Sequence, residues 1–176
     1  MSEYPVVLLA YAEVAATLTG FIGVVFVFDE RSRRLGTDRP SALFHLMYAS
    51  LSALFLSLFA ALLLEYSAPN EQYAWRICNG ISGAIHLFGA GRLALETLRH
   101  QTDLLRSGAS SAIGLGTAGV SFIAAAGYFG TDEEALIFML ATLWILAITV
   151  IAFLSLLISA SGPGDSAAAE PRDLRN

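Results

Sequence analysis

The chain has 176 residues, a net charge of −5, 56% hydrophobic and 14% charged residues, and a mean hydropathy of +0.63. Soluble domains carry about 25% charged residues, so most of this chain has no aqueous surface to cover. Its single cysteine, Cys78, excludes an intrachain disulfide.

A membrane-spanning helix needs about 20 apolar residues, and runs of that size recur along the chain. The first, Tyr4–Phe28, follows Glu3 rather than a basic segment and is read as a retained span. It contains Glu13, about nine residues in, or roughly 12–14 Å below its start. A carboxylate at that depth is costly unless paired, hydrated or protonated. Ala16, Thr17, Gly20, Gly23 and Val24 follow Glu13 at helical spacing, while Leu8, Leu18, Phe21, Val25 and Phe28 lie opposite. Small residues allow close helix approach, so Glu13 is expected to face protein or water inside the bundle.

The second run, 41–64, carries His45, Tyr48 and Ser52 on one face. The third, 74–95, opens after Pro69-Asn70-Glu71, with Asn70 as N-cap, and lines up Arg76, Asn79, Gly83, His86 and Ala90 with Ser82 beside them. For Arg76 the readings are an interface anchor or a partner of Glu71 or Glu13. The fourth, 109–129, carries Ser110, Gly114, Thr117 and Ser121, with Gly119 a further packing glycine. The fifth, 135–160, follows Thr131-Asp132-Glu133-Glu134, which reads as a capping box pairing Thr131 with Glu134. Gly162-Pro163 ends it, and 161–176 is expected to be a disordered cytoplasmic tail.

Loop charge orients the spans. Arg31, Arg33, Arg34 and Arg39 follow the first, Arg92, Arg99 and Arg106 surround the end of the third, and Arg172 and Arg175 lie in the tail. Glu3, Glu65, Glu71 and Asp132-Glu133-Glu134 occupy the other side, with Arg76 its only basic residue. Arginine retention on the cytoplasmic side puts the N-terminus outside and the C-terminus inside. Tyr4, Tyr66, Tyr73, Trp75 and Tyr128 fall at outer ends, where amphipathic rings favour the interface.

The expected fold is therefore all-α: a bundle of five transmembrane helices over residues 1–160, in a bacterial inner (plasma) membrane. Depth matching predicts a polar path through Glu13, Thr17, Asn79, Ser82, His86, Thr117 and Ser121, with His45 and Arg76 as secondary members. Gly20, Gly23, Gly83, Gly114 and Gly119 are the expected packing positions. Such a path suits a small cation or a proton. Five spans enclose little volume, so a homo-oligomer with the route between subunits is expected. The alternative is a non-transport scaffold, accessory or sensor subunit whose polar residues only join helices. A haem- or lipid-linked enzyme ranks last: His45 and His86 differ in depth by a turn or more, against bis-imidazole ligation. No CxxC, HExxH, P-loop or GxSxG motif is present. No cofactor and no nucleic-acid partner are expected. The arginines sit where helix ends and anionic lipid would meet them.

Overall fold

The computed structural model describes residues 4–32, 40–67, 70–100 and 104–160. Arg33, Arg34, Arg39, Pro69 and the tail with Gly162-Pro163, Arg172 and Arg175 lie outside the described residues. Five helices make up the fold: α1 (Tyr4–Ser32), α2 (Pro40–Tyr66), α3 (Glu71–His100), α4 (Leu104–Ala125) and α5 (Thr131–Ala160). At 1.5 Å per residue the shortest is about 33 Å and the longest about 45 Å, against a hydrocarbon core of about 30 Å. Among the described residues, three are long and apolar enough to cross a membrane, over Tyr4–Val25, His45–Tyr66 and Thr131–Ser155; α4 has a shorter apolar stretch, Ala109–Ala125.

Local chemistry explains the ends. Pro40 is the first residue of α2, where its missing N–H costs nothing. The Asn70 carbonyl accepts from the Ala74 amide at 3.4 Å and starts α3. Gly127 closes α4: its φ of +84° is the left-handed conformation glycine adopts without strain, and its amide bonds the Ala124 carbonyl at 2.9 Å. The start of α5 differs from the expected capping box. Gly130 is the N-cap, its carbonyl accepting from the Glu134 amide at 2.9 Å, and Glu133 reaches back to the Gly130 amide at 2.6 Å. The box is thus shifted by one residue, and Glu134 is free to turn inward.

Two hairpins, α1–α2 and α3–α4, pack side by side, and α5 touches all four of their helices. Tyr4, the α2–α3 connection and the α4–α5 turn share one end, the Tyr4 end. There Tyr4 donates to Asp132 Oδ1 at 3.1 Å and its ring meets the edge of Trp75, centroids 5.4 Å apart.

The core is made of small and polar side chains among a few large ones. Ala15, Ala53, Ala60, Ala74 and Ala135 are fully buried beside Leu8, Leu56, Trp75 and Phe138. Ser50, Ser57, Asn79, Ser82, Ser121, Thr142 and Thr149 are buried completely as well. Large apolar side chains such as Phe21, Phe55, Leu62, Phe88, Leu140 and Ile151 face outward. Water would penalise that surface, whereas hydrocarbon does not, and the buried threonine hydroxyls of α5 bond carbonyls of their own helix. Thr142 bonds the Phe138 carbonyl at 3.0 Å and Thr149 that of Ile145 at 2.7 Å.

The closest helix approach is between α3 and α4. A Cβ on Gly114 would fall 2.8 Å from Ala90 Cβ, and one on Gly83 3.2 Å from the Phe122 ring. At Gly20, Gly23 and Gly119 a Cβ would meet nothing within 4 Å, so these glycines make no close helix contact within one chain.

Candidate functional site

The stripe on α3 becomes a polar column, half-buried at Arg76 and buried from Asn79 to His86. Arg76, Asn79, Ser82 and His86 recur every three or four residues, about 15 Å from first to last at helical rise. Neighbouring α5 supplies the group that anchors the column. Arg76 Nε donates to Glu134 Oε1 at 3.1 Å, and the Glu134 side chain is completely buried. Asn79 Nδ2 bridges two backbone carbonyls, Trp75 at 3.0 Å on its own helix and Glu134 at 2.8 Å on α5. Arg76 is therefore paired with Glu134, and neither Glu71 nor Glu13 takes that place.

Glu134 is the residue the sequence reading missed, because Thr131-x-x-Glu134 matches a cap. The signal was a competing pattern: Glu134, Phe138, Thr142, Ile145 and Thr149 are spaced 4, 4, 3 and 4 along α5, and all are buried. That spacing marks an inward face on which a carboxylate must find a partner.

Further down the column, His86 Nδ1 lies 2.9 Å from the Ser82 carbonyl. A carbonyl can only accept, so Nδ1 is the donor in this contact. Among the described residues, several buried polar atoms along these helices have no hydrogen-bond partner: Glu134 Oε2, Asn79 Oδ1, Ser121 Oγ and His86 Nε2. Native interiors tolerate few such atoms without a reason. Thr117 turns back onto the Ile113 carbonyl at 2.9 Å and borders a gap between α4 and α5.

Glu13 and Thr17 are not part of this column. Both are exposed on the outer face of α1, where Thr17 Oγ1 bonds the Glu13 carbonyl at 2.8 Å. This reverses the expected inward orientation. The buried face of α1 carries Leu8, Ala15 and Ile22, each 0% exposed, a seven-residue repeat of the kind that seats one helix along another. That seam packs on α2 and α5 and turns Glu13 outward. The single path from Glu13 through Ser82, Ser121 and His86 therefore does not assemble within one chain. Instead there are two separate polar features: the inner column of α3 and α5, and the outward stripe of Glu13, Thr17 and Gly20.

His45 lies on α2 beside a cavity that His86 also borders. Among the described residues, no cluster of three or more His, Cys, Asp or Glu is arranged to hold a metal ion. Comparisons with protein-family models, curated proteins and solved structures returned no match, so the functional reading rests on this geometry alone.

Proposed function

We propose that the protein is a five-span, homo-oligomeric membrane protein that conducts protons or small monovalent cations along a route between its subunits, with Glu13 as the ion or proton site. One observation carries this reading. Glu13 projects from the middle of the apolar stretch Tyr4–Val25 onto an open face with Thr17 and Gly20. Lipid cannot solvate a carboxylate there without a cost of several kcal/mol. A neighbouring subunit covering that face removes the carboxylate from lipid, and small residues let the second backbone come close. Around a symmetry axis the same contact places a ring of carboxylates on one passage.

The arginine distribution supports an outward N-terminus and an inward C-terminus in a plasma membrane. In that orientation the Tyr4 end is the outer end, and Asp132 and Glu133 stand at the outer mouth, where negative charge raises the local cation concentration. Asn79, Ser82 and Ser121 are fully buried inside their own subunit, so a neighbour's α1 cannot reach them. They serve the subunit's interior and not this route.

A second reading, a scaffold or accessory subunit without transport, is favoured by the hydroxyls of Thr19, Thr142 and Thr149, which bond carbonyls of their own helices. Flux into liposomes containing only this protein separates the two. Disulfide cross-linking of Thr17→Cys in a Cys78→Ala background tests whether the Glu13 face lies at a subunit contact.

A further inference from the structure

Helices α2 and α4 do not pack on one another among the described residues. Between them lies a half-open cavity of about 230 Å³, walled by α3 and α5, in the half of the bundle away from the Tyr4 end. It follows the helix axes. His45 and Ser52 on α2 both border it, as do His86 and Leu93 on α3, and each pair spans about 10 Å at helical rise. Gly89 and Gly114 border it as well and bring no side chain into it. The shape is a slot along the bundle.

Its surface is overwhelmingly apolar. His86 and Trp144 stand on the wall, but His86 Nε2 and Trp144 Nε1 are sealed within the protein. The Ala141 carbonyl on α5 also faces the imidazole. These two rings therefore offer the slot carbon, and neither a donor nor an acceptor. Water needs two to four polar partners and leaves apolar cavities dry, whereas about 150 Å³ of apolar space already takes up benzene. Hydrocarbon fits this slot better than water does. The apolar stretches His45–Tyr66 and Thr131–Ser155 run alongside it, so in a membrane-spanning bundle it lies at the depth of acyl chains.

Charge selects the headgroup. Arg92 is exposed and directly precedes Leu93 of the wall. It lies roughly 31 Å along α3 from Glu71, where a hydrocarbon core of about 30 Å gives way to headgroups. Over residues 92–106, Arg92, Arg99 and Arg106 outnumber Glu96 and Asp103. Basic residues next to a span attract anionic lipid.

We propose that this slot holds one acyl chain of an anionic phospholipid from the leaflet away from the Tyr4 end, with the lipid phosphate at Arg92. The assignment rests on the membrane-spanning reading, which flotation of the wild type with liposomes checks separately. It does not depend on Glu13 or on ion conduction.

The chain has two tryptophans, and Trp144 borders the slot. Bromine on an acyl chain quenches indole fluorescence on contact, so the full chain with Trp75→Phe reports on lipid at Trp144. Vesicles of mixed phosphatidylglycerol and phosphatidylcholine are compared, with dibrominated chains on one lipid or the other. Trp144 also borders the gap between α4 and α5, where bulk lipid quenches in proportion to its share. The slot adds a selective component: brominated phosphatidylglycerol should compete for Trp144 about fivefold better than brominated phosphatidylcholine. A Cβ on Gly89 would meet Tyr48 Cε1 at 3.7 Å, an ordinary contact, so Gly89→Leu places its side chain in the slot and should remove the preference. Arg92→Gln should lower it to less than about twofold. Native mass spectrometry of the unaltered chain should retain one phosphatidylglycerol. Equal competition by the two lipids overturns the proposal, as does a preference that survives Gly89→Leu. An unaltered chain that retains no phosphatidylglycerol overturns it without reference to any variant.

Discussion

Arg76 on α3 and Glu134 on α5 meet at 3.1 Å, with the carboxylate fully buried and the guanidinium about one-third exposed. That asymmetry decides what each substitution does. Arg76→Met leaves a buried carboxylate with no counter-charge and should cost about 3 kcal/mol, within the range for breaking such pairs. Glu134→Gln leaves a guanidinium that can still reach water, and should cost about 1 kcal/mol. Unfolding of both variants in mixed micelles checks the order; a larger loss for Glu134→Gln would show that the pair is not arranged this way.

The same guanidinium explains a glycine. A Cβ on Gly127 would lie 2.5 Å from Arg76 Cζ, at a φ of +84° that side chains rarely adopt. Gly127→Ala should therefore destabilise the protein by about 1–3 kcal/mol, and Arg76→Met should relieve part of that loss in the double variant. Additive losses would remove the proposed contact.

Helix packing and subunit packing should respond to different glycines. Gly114→Leu puts a side chain where Ala90 already stands and should lower the thermal stability of the isolated subunit. Gly20→Leu meets open space within the chain, so it should spare the subunit and weaken its assembly, read by native mass spectrometry. An unchanged oligomer with Gly20→Leu would place the subunit contact elsewhere.

The all-helical fold was legible in the apolar runs: each of the five runs falls on a helix, and three of those helices are long and apolar enough to cross a bilayer among the described residues. The helices extend past those runs, α3 from Glu71 to His100 against the expected 74–95, because backbone hydrogen bonding continues into the polar flanks. Helix α4 stops at Ala125 rather than 129, because Gly127 turns the chain. Orientation about each helix axis was far less legible. Inward and outward faces are both apolar here, differing in side-chain size, so periodicity carries little contrast. The polar stripe of α3 was visible because Arg76, Asn79, Ser82 and His86 contrast with their surroundings. Glu13 was turned the wrong way because small residues suit an inner face and a subunit contact equally well.

The orientation of the bundle has a direct check. Reporter fusions at Arg34 and after Arg106 should read cytoplasmic, and fusions at Pro69 and Gly130 should read external. Opposite readings at two of these sites would contradict a five-span chain.

The central claim is that Glu13 carries an ion or a proton between subunits, and flux into liposomes measures it. Wild-type protein should pass protons or monovalent cations under a voltage or pH gradient. Glu13→Gln keeps the size of the side chain and removes its titratable charge, so it should abolish or retune that flux with the fold intact. His86→Ala, altered deep within the subunit, should leave it unchanged. Flux that is absent in the wild type, or identical in Glu13→Gln, would contradict the account and leave the scaffold reading in its place.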